Sequence, residues 1–189
     1  MAQRRGGGRN VRDGKEKRVT EGVRYKMQFL GAFHLIAPNG HRLDVTSKKA
    51  IALLGLLASA NSGERWRAWI QDKLWGSREL RQAQTSLRRE LHGLRKLTES
   101  LPIPLVETTS RTVRLNLHFV EADIRDEEVV RQSTGEFLEG IDIAGEEGFE
   151  EWLREMRYSL SDLSKPIAME EGADSLLRAP LRLFGHRRL

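Results

Sequence analysis

The chain contains no cysteine. That excludes a disulfide framework, thiolate metal sites and cysteine nucleophiles, and it suits a reducing compartment. Long apolar runs are missing too: the longest, residues 51–60, is about half of what a membrane-spanning helix needs. The first 26 residues are rich in Gly and Arg and hold no apolar stretch, so they do not read as a secretory signal. Aromatic residues make up only 6% and form no studded strand surface of the kind that stacks RNA bases. His34, His41, His92, His118 and His186 are scattered and fit no metal-ligand spacing. The Gly-rich run at 6–8 follows no strand, and acid pairs such as Glu150–Glu151 lie beside basic partners. Neither a catalytic centre nor a cofactor or metal is therefore expected.

What the chain does hold is charge, unevenly placed. Its 189 residues carry 32 Lys and Arg against 27 Asp and Glu, a net +5, with 39% hydrophobic residues to build a core. That is room for one ordinary domain and an appendage. Basic residues crowd the chain up to about Lys96, and acidic ones crowd 121–155. Such asymmetry is expected where one surface faces phosphates and another does not. Residues 1–24, with Arg4, Arg5, Arg9, Arg12, Lys15, Lys17 and Arg18 among glycines, read as a flexible basic tail. Such a tail is either simply solvated or an arm that adds non-specific attraction to phosphates.

From Lys26 the pattern changes. Met27, Phe29, Leu30, Phe33, Leu35, Ile36, Leu43 and Val45 form short apolar runs around Gly31 and the turn Pro38-Asn39-Gly40, which predicts a small antiparallel sheet. Thr46 or Ser47 caps a helix to about Ser59 with Ala50, Ile51, Leu53, Leu54, Leu57 and Ala58 inward. A second helix covers about 65–75, with Trp66, Trp69, Ile70 and Leu74 on one face. Ser77 is placed to cap a third, about 78–97, whose core stripe is Leu80, Ala83, Leu87, Leu91, Leu94 and Leu97. The opposite face carries Arg78, Arg81, Thr85, Arg88, Arg89, His92, Arg95 and Lys96. Residues 103–117 then alternate in two extended runs about the turn 108–111, a half-buried hairpin.

A helix with an apolar stripe below and Arg, Thr and His above suits the major groove of B-DNA, where Arg forms paired hydrogen bonds to guanine. The hairpin beside it brings Arg111, Thr112 and Arg114 toward the neighbouring backbone or minor groove. Lys48 and Lys49 add positive charge at the first helix's N-terminus, where the dipole already favours an anion. Trp66 has two readings, an indole N–H on a phosphate oxygen or a packing tryptophan.

The stretches MQFLGAFHLIAPNG, LDVTSKKAIALLGLLA, IQDKLWG, QAQTSLRRELHGLRKL and LVETTSRTVRLNL together resemble the OmpR/PhoB-type winged helix of SARP-like bacterial transcriptional activators. The resemblance covers about half the chain. It implies an α+β winged helix-turn-helix at 25–118, with an N-terminal antiparallel sheet, three helices and a C-terminal hairpin wing. It further implies cytoplasmic, sequence-specific binding of double-stranded DNA, with Thr85, Arg88, Arg89 and His92 toward bases. Lys48, Lys49, Trp66, Ser86, Arg95, Arg111, Thr112 and Arg114 would hold the backbone. RNA polymerase and a second copy arranged head to tail on direct repeats are the partners implied. Trp66 departs from the small capping residue usual in the family, and Gly93 stands where a basic residue is common.

Residues 119–165 read as a short helical extension. GEFLEGIDIAGEEGFEEWLREMRYSL resembles the start of a bacterial transcriptional activator domain, truncated or degenerate beyond Pro166. Its stripe of Phe149, Trp152, Leu153, Met156, Leu160 and Leu163 is expected to pack within the chain. The alternative is a protein-interaction module that has lost DNA binding and docks a partner through this acidic helix. Residues 166–189 read as a loosely held tail.

Overall fold

The computed structural model describes residues 24–164; the expectations for the basic tail before Arg24 and the tail 166–189 lie outside the described residues. The fold is mixed α+β. Along the chain run β1 (Tyr25–Gln28), β2 (His34–Ile36), β3 (Arg42–Leu43), α1 (Lys48–Ala58), β4 (Glu64–Trp66), α2 (Arg67–Trp75) and α3 (Leu80–Leu97). Then come β5 (Val106–Thr108), β6 (Thr112–Leu115), β7 (Val120–Ala122), a 3-10 turn (Asp123–Arg125), α4 (Glu127–Gln132) and α5 (Glu147–Ser164). Among the described residues no helix is long and apolar enough to cross a membrane.

Two sheets frame the helices. The first has the order β3-β2-β1-β7, antiparallel except that β7 lies parallel to β1, and the second has the order β4-β6-β5. Strand β1 alternates as a one-faced strand must: Tyr25 and Met27 inward, Lys26 and Gln28 outward. The turn after β2 closes through Gly40, whose φ of +84° is a glycine conformation. Helix α1 is capped by Ser47, whose Oγ accepts from Ala50 N at 3.3 Å. It is buried from Ala50 to Ala58, which explains a sequence apolar on every side rather than striped.

Four expectations need correction. Residues 64–66 are strand, not the first turn of a helix: Arg65 pairs with Val113 and Trp66 with Thr112. Three residues carry no period, and their partner strand is supplied 46 residues later in the chain or more. Ser77 does not cap α3; Glu79 holds the cap position without a side-chain bond, and the Ser77 N–H is taken by Glu146. Leu80 is 64% exposed because α3 begins there, one turn before it settles on α2. The boundary drawn at residue 118 falls inside the fold, since β7 completes the first sheet.

The segment after β6 is fastened at several points. The Asp123 carboxylate accepts from the N–H groups of Phe29 (2.8 Å), Leu30 (2.9 Å) and Ile124 (2.8 Å). Arg125 donates to the carbonyls of Ala58, Ala60 and Asn61, satisfying the C-terminal end of α1. Leu138, at a left-handed φ of 53° and fully buried, presses its side chain on Gly55 of α1. Phe149, Trp152, Leu153, Met156 and Leu160 of α5 are all buried, and Leu163 is half-buried. Each is worth about 1.5–3 kcal/mol on burial. Arg157 holds the preceding loop through Phe137 O and Leu138 O, with Glu136 beside it. The stripe is core of the same body as α1–α3, as the sequence reading expected.

Candidate functional site

Helix α3 is an amphipathic rod whose inner residues Ala83, Leu87 and Leu94 are buried, with Leu91 and Leu97 half-buried beside them. Spacing by three and four puts Arg81, Thr85, Arg88, His92 and Arg95 in one line along the outer side, with Arg89 and Lys96 flanking it. All of these are exposed. Among the described residues no carboxylate pairs with Arg88, Arg89, Arg95 or Lys96, although other surface cations have partners. Thr85 donates its hydroxyl to Arg81 O at 2.9 Å, which leaves its oxygen lone pairs and methyl facing outward. Gly93 is exposed, with open space around it, and the helix runs through it unbroken.

Beside α3 stands the β5–β6 hairpin. Its turn is fixed by Thr109, whose Oγ1 accepts from Arg111 N (3.1 Å) and Thr112 N (2.9 Å). The hairpin docks on the head of α2: Arg67 N donates to Arg111 O at 2.8 Å, and Arg67 Nη1 reaches Thr109 O at 3.4 Å. Between α2, α3 and the hairpin turn lies a cleft of about 320 Å³ lined by Trp66, Arg67, Gln71, Gln84, Arg88 and Arg111, with Ala68 and Ser110. No acid is among its walls. Burial, and then the neighbouring Arg88, lower the Arg67 pKa. Three arginines thus line one cleft with no acid among its walls, which is an arrangement that receives an anion.

The chain matches no family model and no curated protein.

The expected site residues fall into three groups. Thr85, Arg88, Arg89, His92 and Arg95 share the outer face of α3, and Trp66 (61% exposed), Arg111 and Thr112 border it from the cleft and hairpin. Trp66 sits at the N-cap of α2 with most of its surface exposed, so its ring is surface rather than packing. Ser86 and Arg114 lie nearby but are engaged. Ser86 Oγ accepts from Arg78 at 3.3 Å, and Arg114 pairs across the hairpin with Glu107 at 2.8 Å. Lys48 and Lys49 are engaged by acids of the segment after β7. Lys48 meets Asp142 at 3.0 Å, which holds that carboxyl below its usual range. Lys49 donates to Glu146 at 2.8 Å and Leu74 O at 2.6 Å in a half-buried position. A phosphate role for Lys49 is therefore replaced by a structural one, because its ammonium already has an anion and a carbonyl.

Arg67 is the site residue the sequence reading passed over. Its signal was an arginine directly after an exposed tryptophan, but the reading placed both inside a helix. Only the hairpin, docking from 42 positions on, shows which way it faces. Among the described residues no group of three or more His, Asp or Glu side chains is placed to hold a metal ion.

Proposed function

We propose that this protein is a bacterial transcription regulator whose residues 25–118 act as a winged helix-turn-helix of OmpR/PhoB type on duplex DNA. In this reading α3 enters the major groove and the β5–β6 hairpin is the wing. The observation that carries it is the unpaired cationic face of α3 joined to the acid-free cleft of Arg67, Arg88 and Arg111. Thr85, Arg88, Arg89 and His92 face bases; Arg67, Trp66, Arg95, Lys96, Arg111 and Thr112 face the backbone, with Arg114 a weaker contact because Glu107 neutralises it. The protein acts in the cytoplasm by binding, without a catalytic step or cofactor. A second copy on a direct repeat and RNA polymerase are its further partners. The interaction-module reading draws on the α5 stripe, and that stripe is buried within the chain.

The test is binding to duplex DNA against salt. With about four cations on phosphates (Arg67, Arg95, Lys96, Arg111), log K falls with log salt at a slope near −3.6, so a roughly fourfold rise in salt costs about 150-fold in affinity. Arg88→Ala removes about 1–3 kcal/mol of preference for the selected site, whereas Arg111→Ala weakens all sequences alike and lowers the slope by about one. Binding that ignores salt, or two variants that behave identically on selected and scrambled duplexes, overturns the reading.

A further inference from the structure

The buried ion pair between Lys49 and Glu146 lies outside the cationic face, yet it touches the segment that leads into α3. Glu146 is 4% exposed and stands at the head of α5. Its Oε1 accepts from Lys49 Nζ at 2.8 Å, and its Oε2 accepts from the Ser77 N–H at 3.3 Å. Lys49 also donates to Leu74 O at 2.6 Å, on the last turn of α2, and lies 5.1 Å from the centre of the Trp75 ring. The ion pair therefore holds α1, the end of α2 and the turn 76–79 together, the ammonium through Leu74 O and the carboxylate through Ser77 N. Gly148, the second residue of α5, lies against Lys73 and Asp72 of α2, so the contact continues beyond the ion pair.

The turn itself has little else to fix it. Residues 76–80 are all exposed, and α3 starts without a side-chain cap. Arg78 N→Trp75 O at 3.0 Å is the turn's own backbone bond. The core side chains of α3 and the Arg78–Ser86 bond hold the helix in place, and the tie at Ser77 adds a directional constraint on the angle at which α3 leaves α2. We propose that Glu146 is a positioning residue: from the extension it fixes Ser77, and through Ser77 the presentation of the DNA-reading face of α3. This rests on the function proposed above and deepens it. The acidic extension becomes a brace of the DNA-binding unit rather than a separable appendage. The reason for a charged brace is directional. An apolar contact at this point would bury area equally well over a range of angles, whereas a carboxylate shared between an ammonium and an N–H accepts a narrow one.

Removing either charge alone leaves its partner buried and unpaired and threatens folding. Two neutral pairs avoid this in the full chain. Lys49→Met with Glu146→Gln removes both charges but keeps a carbonyl for the Ser77 N–H. Lys49→Met with Glu146→Leu removes that acceptor as well. The probes are the duplex most enriched by the wild-type chain from genomic fragments and a scrambled duplex of the same composition. The Leu pair is expected to lose preference for the enriched duplex by about tenfold or more, the scale of one lost base-pair contact. Its affinity for the scrambled duplex and its salt slope stay as in wild type, and the Gln pair keeps its preference within a few-fold. A purely structural role moves both affinities together or neither.

Amide exchange provides an arm that needs no DNA. In the Leu pair the amides of Ser77, Arg78 and Gln82 exchange at least about tenfold faster while those of β1 and α1 are unchanged; in the Gln pair all stay as in wild type. Equal preference in the Leu pair and wild type, or unchanged exchange at Ser77, Arg78 and Gln82, overturns the proposal. If the wild-type chain enriches no duplex, the DNA reading falls, and the exchange arm alone decides whether Glu146 positions the turn.

Discussion

Whether residues 119–164 form one cooperative body with the helices before them can be decided at a single contact. Gly55 sits in the middle of α1, and a Cβ built there meets Leu138 Cδ1 at 2.9 Å, Phe137 Cζ at 3.5 Å and Leu138 Cδ2 at 3.7 Å. On propensity alone Gly55→Ala stabilises, since alanine is better than glycine in a helix interior by about 1 kcal/mol. The packing opposes this. Leu138 is fully buried with a left-handed backbone, so its methyl has little freedom to retreat, and forcing an extra methyl into such a site costs about 1–3 kcal/mol. The net expectation is a loss of about 1 kcal/mol. In a Leu138→Ala background, which itself costs about 2–5 kcal/mol, both Cδ atoms are gone and the nearest remaining atom is Phe137 Cζ at an ordinary contact distance. There Gly55→Ala keeps its propensity gain and fills part of the vacated space, so it stabilises by about 1 kcal/mol. Backbone strain at 138 is the same in both members of that comparison and cancels. The coupling is thus about 2 kcal/mol with a change of sign, well above the few tenths expected of independent sites. Urea melts of the four chains measure it through the midpoint at constant m. A Gly55→Ala effect of the same sign and size in both backgrounds refutes the packing of Leu138 on α1.

Two further outcomes follow from the charges. Arg67→Gln relieves repulsion on Arg88 and loses only a long, exposed bond to Thr109 O. Stability without DNA should therefore stay within about 0.5 kcal/mol of wild type, while the salt slope of duplex binding drops by about one; a lost fold with an unchanged slope contradicts the role given to the cleft. Burial pushes the Asp123 carboxyl above its ordinary 3.8, only partly offset by the backbone N–H groups of Leu30, Phe29, Ile124 and Asp123 itself. The native state then holds that proton more tightly than the unfolded chain, so this group's contribution is full below about pH 3.8 and fades as pH rises through the folded value. Asp123→Asn removes the fade: its stability, lower throughout by about 1–3 kcal/mol for the lost acceptor, climbs more steeply with pH from there upward than that of the wild type. Parallel stability–pH curves would show that Asp123 is not desolvated.

The elements legible in the sequence were those whose signal is local. Ser47 and the apolar run behind it announce α1; the spacing of Ala83, Leu87, Leu91 and Leu94 announces α3 and, by exclusion, its cationic face; Asn39-Gly40 announces a tight turn. What was not legible depends on pairing across distance. Strand β4 exists because β6 accepts it, and β7 because β1 has a free edge. Lys49 looked like a free cation at a helix N-terminus because its partner is 97 positions away. Arg114 looked available for the same reason as Lys49, although its acid lies only seven residues back, across the hairpin. Side-chain type and period tell which face of an element is wet. They do not tell which wet charges are already spoken for.

That distinction gives the charge asymmetry of the chain its physical meaning. The extension's acids are largely engaged: Glu146 and Asp142 with the lysines of α1, Glu127 with Arg131, Glu136 with Arg157, and Glu150 with the Ile143 N–H. Cations around α3 are not, and Arg88 stands close enough to Arg67 to add to the burial that lowers the Arg67 pKa. A like-charge contact in a half-enclosed cleft weakens the isolated protein, and solvent removes only part of that cost because Arg67 is partly withdrawn from water. An anion bound between the two reverses the sign of the interaction. A single phosphate would suffice for the cleft, but the row from Arg81 to Arg95 runs on for about four turns of helix, roughly 20 Å. A small anion cannot neutralise a row of that length. A regularly charged polymer can, and the groove width that admits one helix with its side chains is that of duplex DNA.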